Sequence, residues 1–318
     1  MIHPLQSLRF VFVMLIVMSH LTLPGHTPFD AGGDCGVAFF FILSGFILSH
    51  RYTPSILEGS YSHPGFLRRR LLKVYPLHLL CLAVWLLVFG HTTVDGRVVA
   101  NALLLQSWIP LADYYFSCNA VSWFLSTLLF CYLVFPIAHR HASWAATALL
   151  LAGCLIVYLL VPYSQVGVLY VHPLMRSVDF FLGIMLHRLW AENSQKTWPK
   201  WTEWAVVALL IVVLATYPAI DAKLRNAPLF WVVLLPLIAI FAKGTGHISP
   251  LLNLRPMQWL GSLSMPIFMT HLFVISTLVP RLASLPDALA IILVLAAVVA
   301  VGWATDRLFL RPLASLLK

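Results

Sequence analysis

Apolar side chains run through this chain in stretches too long for a soluble core, and polar residues gather mostly in the short gaps between them. Read against the Pro, Gly and charged breakers, the pattern predicts ten membrane-crossing helices. They lie at roughly 8–24, 36–50, 71–90, 120–138, 144–161, 176–190, 203–219, 228–242, 261–280 and 286–309. The segment 98–111 (VVANALLLQSWIPL) is too short to cross comfortably and reads as a re-entrant or interfacial piece on the outer side. The second run is also short, and Arg51 can snorkel from its end. The expected fold is all-α: a polytopic integral membrane bundle of about ten transmembrane helices.

Composition agrees. Hydrophobic residues make up 61% and charged residues 10%, and the mean hydropathy is +0.90, which excludes an ordinary soluble domain. No repeat or low-complexity tract appears, so residues 1–318 read as a single integral-membrane domain. The first apolar run lacks a small-residue cleavage site and is expected to be retained. The net charge of +9 points to cytoplasmic loops rather than to nucleic acid. With the N-terminus inside, 15 of the 20 Lys and Arg residues fall on the inner side, leaving Arg97, Arg176, Lys223, Arg225 and Arg281 outside. Both termini are therefore expected in the cytoplasm, and the chain in the inner membrane with lipid around it. The five cysteines show no metal-ligand spacing, so no metal is predicted. Cys35 and Cys118 fall at outer ends of spans, where a disulfide is open to them.

A few polar residues break the apolar pattern. Arg9 and His20 lie in the first run, eleven residues apart, which on a helix is about three turns plus 20°. Both then share one face, roughly 16 Å apart along the axis. An ionisable group in a span is costly and marks a functional site, unless it is a histidine hydrogen-bonded to a neighbouring helix. Ser44-Gly45 in the second run removes bulk and permits a kink or the close approach of another backbone or a ligand. Arg69, Arg70 and Lys73 crowd the inner mouth of the third run, with Arg51 nearby. Such a cluster suits phosphates, or serves as ordinary positive-inside anchoring on anionic lipid.

Several of these stretches resemble the membrane-bound acyltransferase-3 family. They are Arg9-x10-His20, FFFILSGF (39–46) and RRRLLKVYP (68–76), followed by SWFLSTLLFCYLVFP (122–136), RSVDFFLG (176–183) and WLGSLSMPIFMTH (259–271). The chain departs from the pattern in three places: it has Leu128 and Leu129 where many relatives carry a glutamate, Ala38 where many have an Asp, and Arg311 before Pro312 where an acidic residue is common.

The resemblance implies about ten spans and transfer of acetyl or other acyl groups from cytoplasmic acyl-CoA to extracytoplasmic carbohydrate. Acetyl-CoA or another acyl-CoA is then the donor, and a glycan or lipid-linked glycan the acceptor. Arg51, Arg69, Arg70, Lys73 and Ser44 are expected on the donor side, with Arg9 and His20 as the catalytic pair. His20 acts as a base on a sugar hydroxyl or carries the acyl group covalently. His271 lies where it can face His20, as an orienting or relay group or as a helix cap. On the acceptor side Asp34, Trp123, Arg176 and Asp179 are candidates. The plainer readings are a solvated carboxylate for Asp34 (and its neighbour Asp30), an interfacial tryptophan, and a local ion pair for Arg176 with Asp179. Rival classes are a proton-coupled transporter using His20 and His271, or an inactive scaffold of a polysaccharide assembly complex. A homo-oligomer and polysaccharide-assembly partners fit the first reading.

Overall fold

The computed structural model describes residues 2–23, 27, 29, 32–88, 94–225 and 228–316, and over these it is helical. Ten long helices form the body: α1 (His3–His20), α2 (Gly32–Leu57), α3 (His63–Val88), α4 (Trp123–Arg140), α5 (Trp144–Leu160), α6 (Pro173–Glu192), α7 (Thr202–Thr216), α8 (Pro228–Lys243), α9 (Ser264–Leu278) and α10 (Asp287–Thr305). Each expected segment coincides with one of them. Seven stretches of the described residues are long and apolar enough to cross a membrane, so ten crossings are not established. An eighth arises if α5 and the following Tyr163–Val171 piece, bent by 119°, are counted as one span. Helices α1 and α6 fall outside that set because polar side chains interrupt them, Arg9 in α1 and Arg176, Asp179 and Arg188 in α6.

The segment 98–111 does not cross. It forms a seven-residue helix (Gly96–Ala102) and a 3-10 turn (Gln106–Trp108), both pinned to the start of α4. Asn101 Nδ2 donates to Ser122 Oγ (3.0 Å), Ser107 Oγ to the Trp123 carbonyl (2.9 Å) and Ser126 Oγ to the Leu104 carbonyl (2.6 Å). Asp95 caps the short helix by accepting from the backbone of Arg97 and Val98.

Close backbone approach sets the centre of the bundle. At Gly45 of α2 an added Cβ would stand 2.0 Å from the Phe180 carbonyl oxygen of α6, and at Gly183 of α6 it would stand 2.0 Å from the Ile42 carbonyl oxygen. The two helices therefore cross glycine to backbone, the small-residue packing that membrane helices favour. Helix α1 is gripped similarly at both ends. A Cβ on Gly36 of α2 would lie 2.5 Å from Ile16. One on Gly261, in the short helix Arg255–Ser262, would lie 2.0 Å from the Gln6 carbonyl oxygen. Phe12 and Phe39 stack between α1 and α2 with ring centroids 3.8 Å apart. Gln258 Nε2 ties the start of α1 down, donating to the His3 carbonyl (2.6 Å) and to Ser7 Oγ (2.7 Å).

Two further polar groups are buried with partners. Glu203, 1% exposed, accepts from the backbone N–H groups of Gly246 (3.0 Å), Ile248 (2.6 Å) and Ser249 (2.9 Å), and from Ser249 Oγ. His78 meets the Asn101 carbonyl at 2.9 Å. All five cysteines are free. Cys35 and Cys118 belong to different apolar clusters, so the disulfide open to them in the sequence is not formed.

Gly183→Ala is expected to lower stability by about 1–3 kcal/mol or more, because the methyl meets backbone that cannot turn away. Gly153→Ala, where nothing lies within 4 Å of the new Cβ, is expected to be neutral or slightly stabilising by helix propensity. Thermal unfolding of both variants in detergent tests this, and equal melting temperatures would refute the crossing.

Candidate active site

Helix α1 is unbroken from His3 to His20, so Arg9 and His20 stand about 16 Å apart along one rod. Between them on the same stripe, Val13 and Ile16 are 0% and 1% exposed. The stripe therefore faces the protein interior.

His20 ends the helix with its ring exposed, and His271 of α9 lies behind it, fully buried. His20 Nδ1 is 2.8 Å from the Ile16 carbonyl oxygen, and His271 Nδ1 is 2.7 Å from that of Phe268. A carbonyl only accepts, so in the neutral rings each Nδ1 carries the proton. His271 Nε2 then presents a lone pair to His20 Nδ1–H at 3.4 Å, with ring centroids 5.1 Å apart and planes tilted by 57°. The remaining atom, His20 Nε2, keeps its lone pair uncommitted among the described residues. That is the arrangement a general base requires.

At the other end the cations gather round Tyr52, itself 7% exposed. Arg70 Nη2 donates to the Tyr52 hydroxyl at 3.0 Å, and the Arg70 guanidinium lies 5.5 Å from the Tyr52 ring centroid and 5.6 Å from that of Phe66. Arg51 stands 5.9 Å from the same tyrosine ring, and the charge of Arg69 also acts on its hydroxyl. Lys73 is within charge range of Arg9, Arg51 and Arg70. The Arg9 Nε is buried without a partner. Among the described residues none of these five cations makes an ion pair. Unlike the other donor-side candidates, Ser44 turns back on its own helix, donating to the Phe40 carbonyl at 2.7 Å.

The acceptor-side candidates are drawn together but enclosed. Arg176 and Asp179 have fully buried side chains and pair at 2.9 Å, and Trp231 Nε1 donates to the other Asp179 oxygen at 2.5 Å. The Arg176 guanidinium lies 4.8 Å from the ring centroid of Tyr170. Trp123, only 4% exposed, packs on that tyrosine at 4.9 Å instead of standing in an interfacial belt. Asp34, half-buried at the start of α2, accepts from the Tyr217 hydroxyl at 2.5 Å, and its charge reaches His20. Asp30 lies outside the described residues. Among the described residues no three His, Cys, Asp or Glu side chains group as a metal site.

A family model described as an acyltransferase domain, that of acyltransferase-3, matches residues 2–307. The chain belongs to the acyltransferase-3 family. Within curated proteins it is 36% identical over 117 residues to an acyltransferase, MdmB, of Streptomyces mycarofaciens, covering 34% of this chain and 29% of that protein. It is 26% identical over 324 residues to the putative peptidoglycan O-acetyltransferase YrhL of Bacillus subtilis, covering 88% of this chain and 50% of the relative. A third relative, protein 2 in the picA locus of Rhizobium radiobacter, is 28% identical over 159 residues, covering 45% of this chain and 82% of that protein. The chain thus spans half or less of the length of the first two. No solved structure matches it.

Within this acyltransferase-3 chain the cations gather on Tyr52, which no sequence motif singles out. Its only signal was adjacency to Arg51 at the end of the second run. Tyr170, which links Trp123 with Arg176, carried no signal at all.

Arg176→Ala would leave the Asp179 carboxylate buried and unpaired, so it is expected to cost about 3–5 kcal/mol and to lose folded protein. Yield and thermal unfolding check this. A variant that folds normally and changes only the acceptor KM would instead make Arg176 a binding residue.

Proposed function

We propose that this protein is an integral inner-membrane O-acyltransferase. It moves an acyl group, acetyl in the simplest case, from cytoplasmic acyl-CoA to a hydroxyl of an extracytoplasmic or lipid-linked glycan. The observation that carries the reading is the pairing of two sites along one helix: a cation cluster around Tyr52, within charge range of Arg9 and without an ion-pair partner among the described residues, and a base-competent His20 backed by His271. Family membership supports the reaction class. The relative named for peptidoglycan supports a carbohydrate acceptor, and the positive-inside asymmetry supports cytoplasmic termini and a donor entering from that side.

On this reading Arg9, Arg51, Arg69, Arg70 and Lys73 hold the donor's phosphates by charge-assisted hydrogen bonds. The separation of about 16 Å is then bridged by the donor's extended arm, which brings the thioester to His20. Neutral His20 Nε2 takes the proton of the acceptor hydroxyl as its oxygen bonds to the thioester carbonyl carbon. The C–S bond breaks, and the leaving thiolate takes the proton back from the imidazolium. The Ile16 carbonyl and His271 Nε2 share the Nδ1 proton of His20, which holds the ring in the required tautomer and favours its cationic form while the proton is on loan.

His20→Ala is expected to lower transfer of labelled acetyl from acetyl-CoA to lipid-linked glycans by about 10²–10⁴-fold while leaving the melting temperature unchanged. Arg70→Gln is expected to raise the donor KM about tenfold by removing a charge-assisted contact. Undiminished transfer in the histidine variant ends the mechanism. Absence of thermal stabilisation by acetyl-CoA would favour the transporter reading instead.

A further inference from the structure

Beside α1 lies an apolar groove of about 540 Å³, walled by Phe10 and Met14 of α1, Trp259, and Val299, Ala300 and Trp303 of α10. Its size is that of a ligand pocket. It exists because Ala300, like its neighbour Ala296 one turn earlier, supplies too little side chain to fill the space beside two exposed tryptophans. In a chain built of membrane-crossing helices an open apolar groove is not left empty, since an unfilled void forfeits the dispersion contacts of its walls.

Two cations follow the wall residues, one helical turn beyond each tryptophan. Gly261 packs on Gln6, and His271 meets His20 further along, so α9 and the helix before it run parallel to α1. Gly302 of α10 packs on Ile267, so α10 runs the opposite way. Arg255, one turn before Trp259, and Arg307, one turn after Trp303, therefore lie at the same end of the bundle as the start of α1. Both are exposed, and among the described residues neither makes an ion pair, the one acid beside Arg307 being Asp306, which is committed to Arg311 at 2.7 Å. An apolar trough with two exposed guanidinium groups beyond one end and two tryptophans below them matches an amphiphile with an anionic phosphate head.

We propose that this groove is a binding site for an anionic glycerophospholipid, with an acyl chain along Phe10, Met14, Val299 and Trp303 and its phosphate on Arg255 and Arg307. Because Phe10 and Met14 belong to the helix that carries Arg9 and His20, the bound lipid braces the outer wall of α1. The inference does not depend on the acyltransferase reaction.

The purified full-length protein, stripped of lipid in detergent, is titrated with phosphatidylglycerol or phosphatidylcholine, and its melting temperature followed. Phosphatidylglycerol at about tenfold over its dissociation constant is expected to raise the midpoint by about 3 °C more than phosphatidylcholine. The surface variant Arg255→Gln/Arg307→Gln is expected to melt like the parent without lipid and to lose that difference, and Ala300→Trp to lose the response to both lipids. Equal responses of the parent to the two lipids, or a preserved preference in the double arginine variant, overturns the proposal. So does a dimer of the parent that Ala300→Trp dissociates, which would assign the groove to a second copy of the chain.

Discussion

Everything the bundle offers chemically depends on how closely other backbones approach α1. A helix with Arg9 near one end and His20 at the other is too polar to rest against lipid, so its polar stripe must be enclosed by protein. Glycine makes the enclosure possible. Gly36 lets α2 lie against Ile16 and Phe12, Gly261 lets the Arg255–Ser262 helix lie against Gln6, and the Gly45–Gly183 crossing seats α2 on α6. Remove the close approach and the same polar residues become a liability, because the surrounding hydrocarbon has no partner for them.

A second consequence of a low-dielectric interior is that buried charge must be served by partners. Asp179 is served, by Arg176 and by the Trp231 indole. Glu203 is served by three backbone N–H groups and a hydroxyl. The cluster around Tyr52 differs: Arg51, Arg69 and Lys73 are exposed, and Arg9 and Arg70 half-buried. It gathers guanidinium groups on an aromatic ring and a hydroxyl, neither of which neutralises them. Mutual repulsion makes such a cluster unfavourable by itself, and an arriving polyanion relieves it, whereas the satisfied pairs gain nothing from a ligand. The contrast separates structural charge from charge available for binding.

The positions of the helices were legible in the sequence because the apolar runs are long and the breakers strong. Pairing across the chain was less so. That His271 could face His20, 251 positions away, was legible from their similar depth and is met in the structure, but helical spacing alone does not say which other faces meet. The expectation of ten crossings counted α1 and α6 among the spans although both carry ionisable residues. His20 of α1 meets His271, and the Arg176–Asp179 pair of α6 meets Tyr170 and Trp231, so protein contacts help to place both helices. Trp123 and Arg176 looked like surface groups because each sits near a run's end. The short segment between α3 and α4, fastened down by Asn101, Ser107 and Ser126, closes over the start of α4 and helps put Trp123 inside. Cys35 and Cys118 shared an expected depth but not a cluster, and depth alone does not make a disulfide.

The histidine pair follows from the same enclosure. A lone imidazole at the end of α1 would be free to rotate and to exchange tautomers, and either nitrogen would be available by turns. The Ile16 carbonyl removes that freedom from one side and His271 Nε2 from the other, at 2.8 and 3.4 Å. Because His271 is itself fixed by the Phe268 carbonyl, the direction of the proton on His20 traces back through two helix backbones rather than to any mobile side chain. The base is thus oriented by the same helix packing that hides the Arg9 stripe from lipid, and a change that loosens α1 against α9 reaches the chemistry without touching either ring.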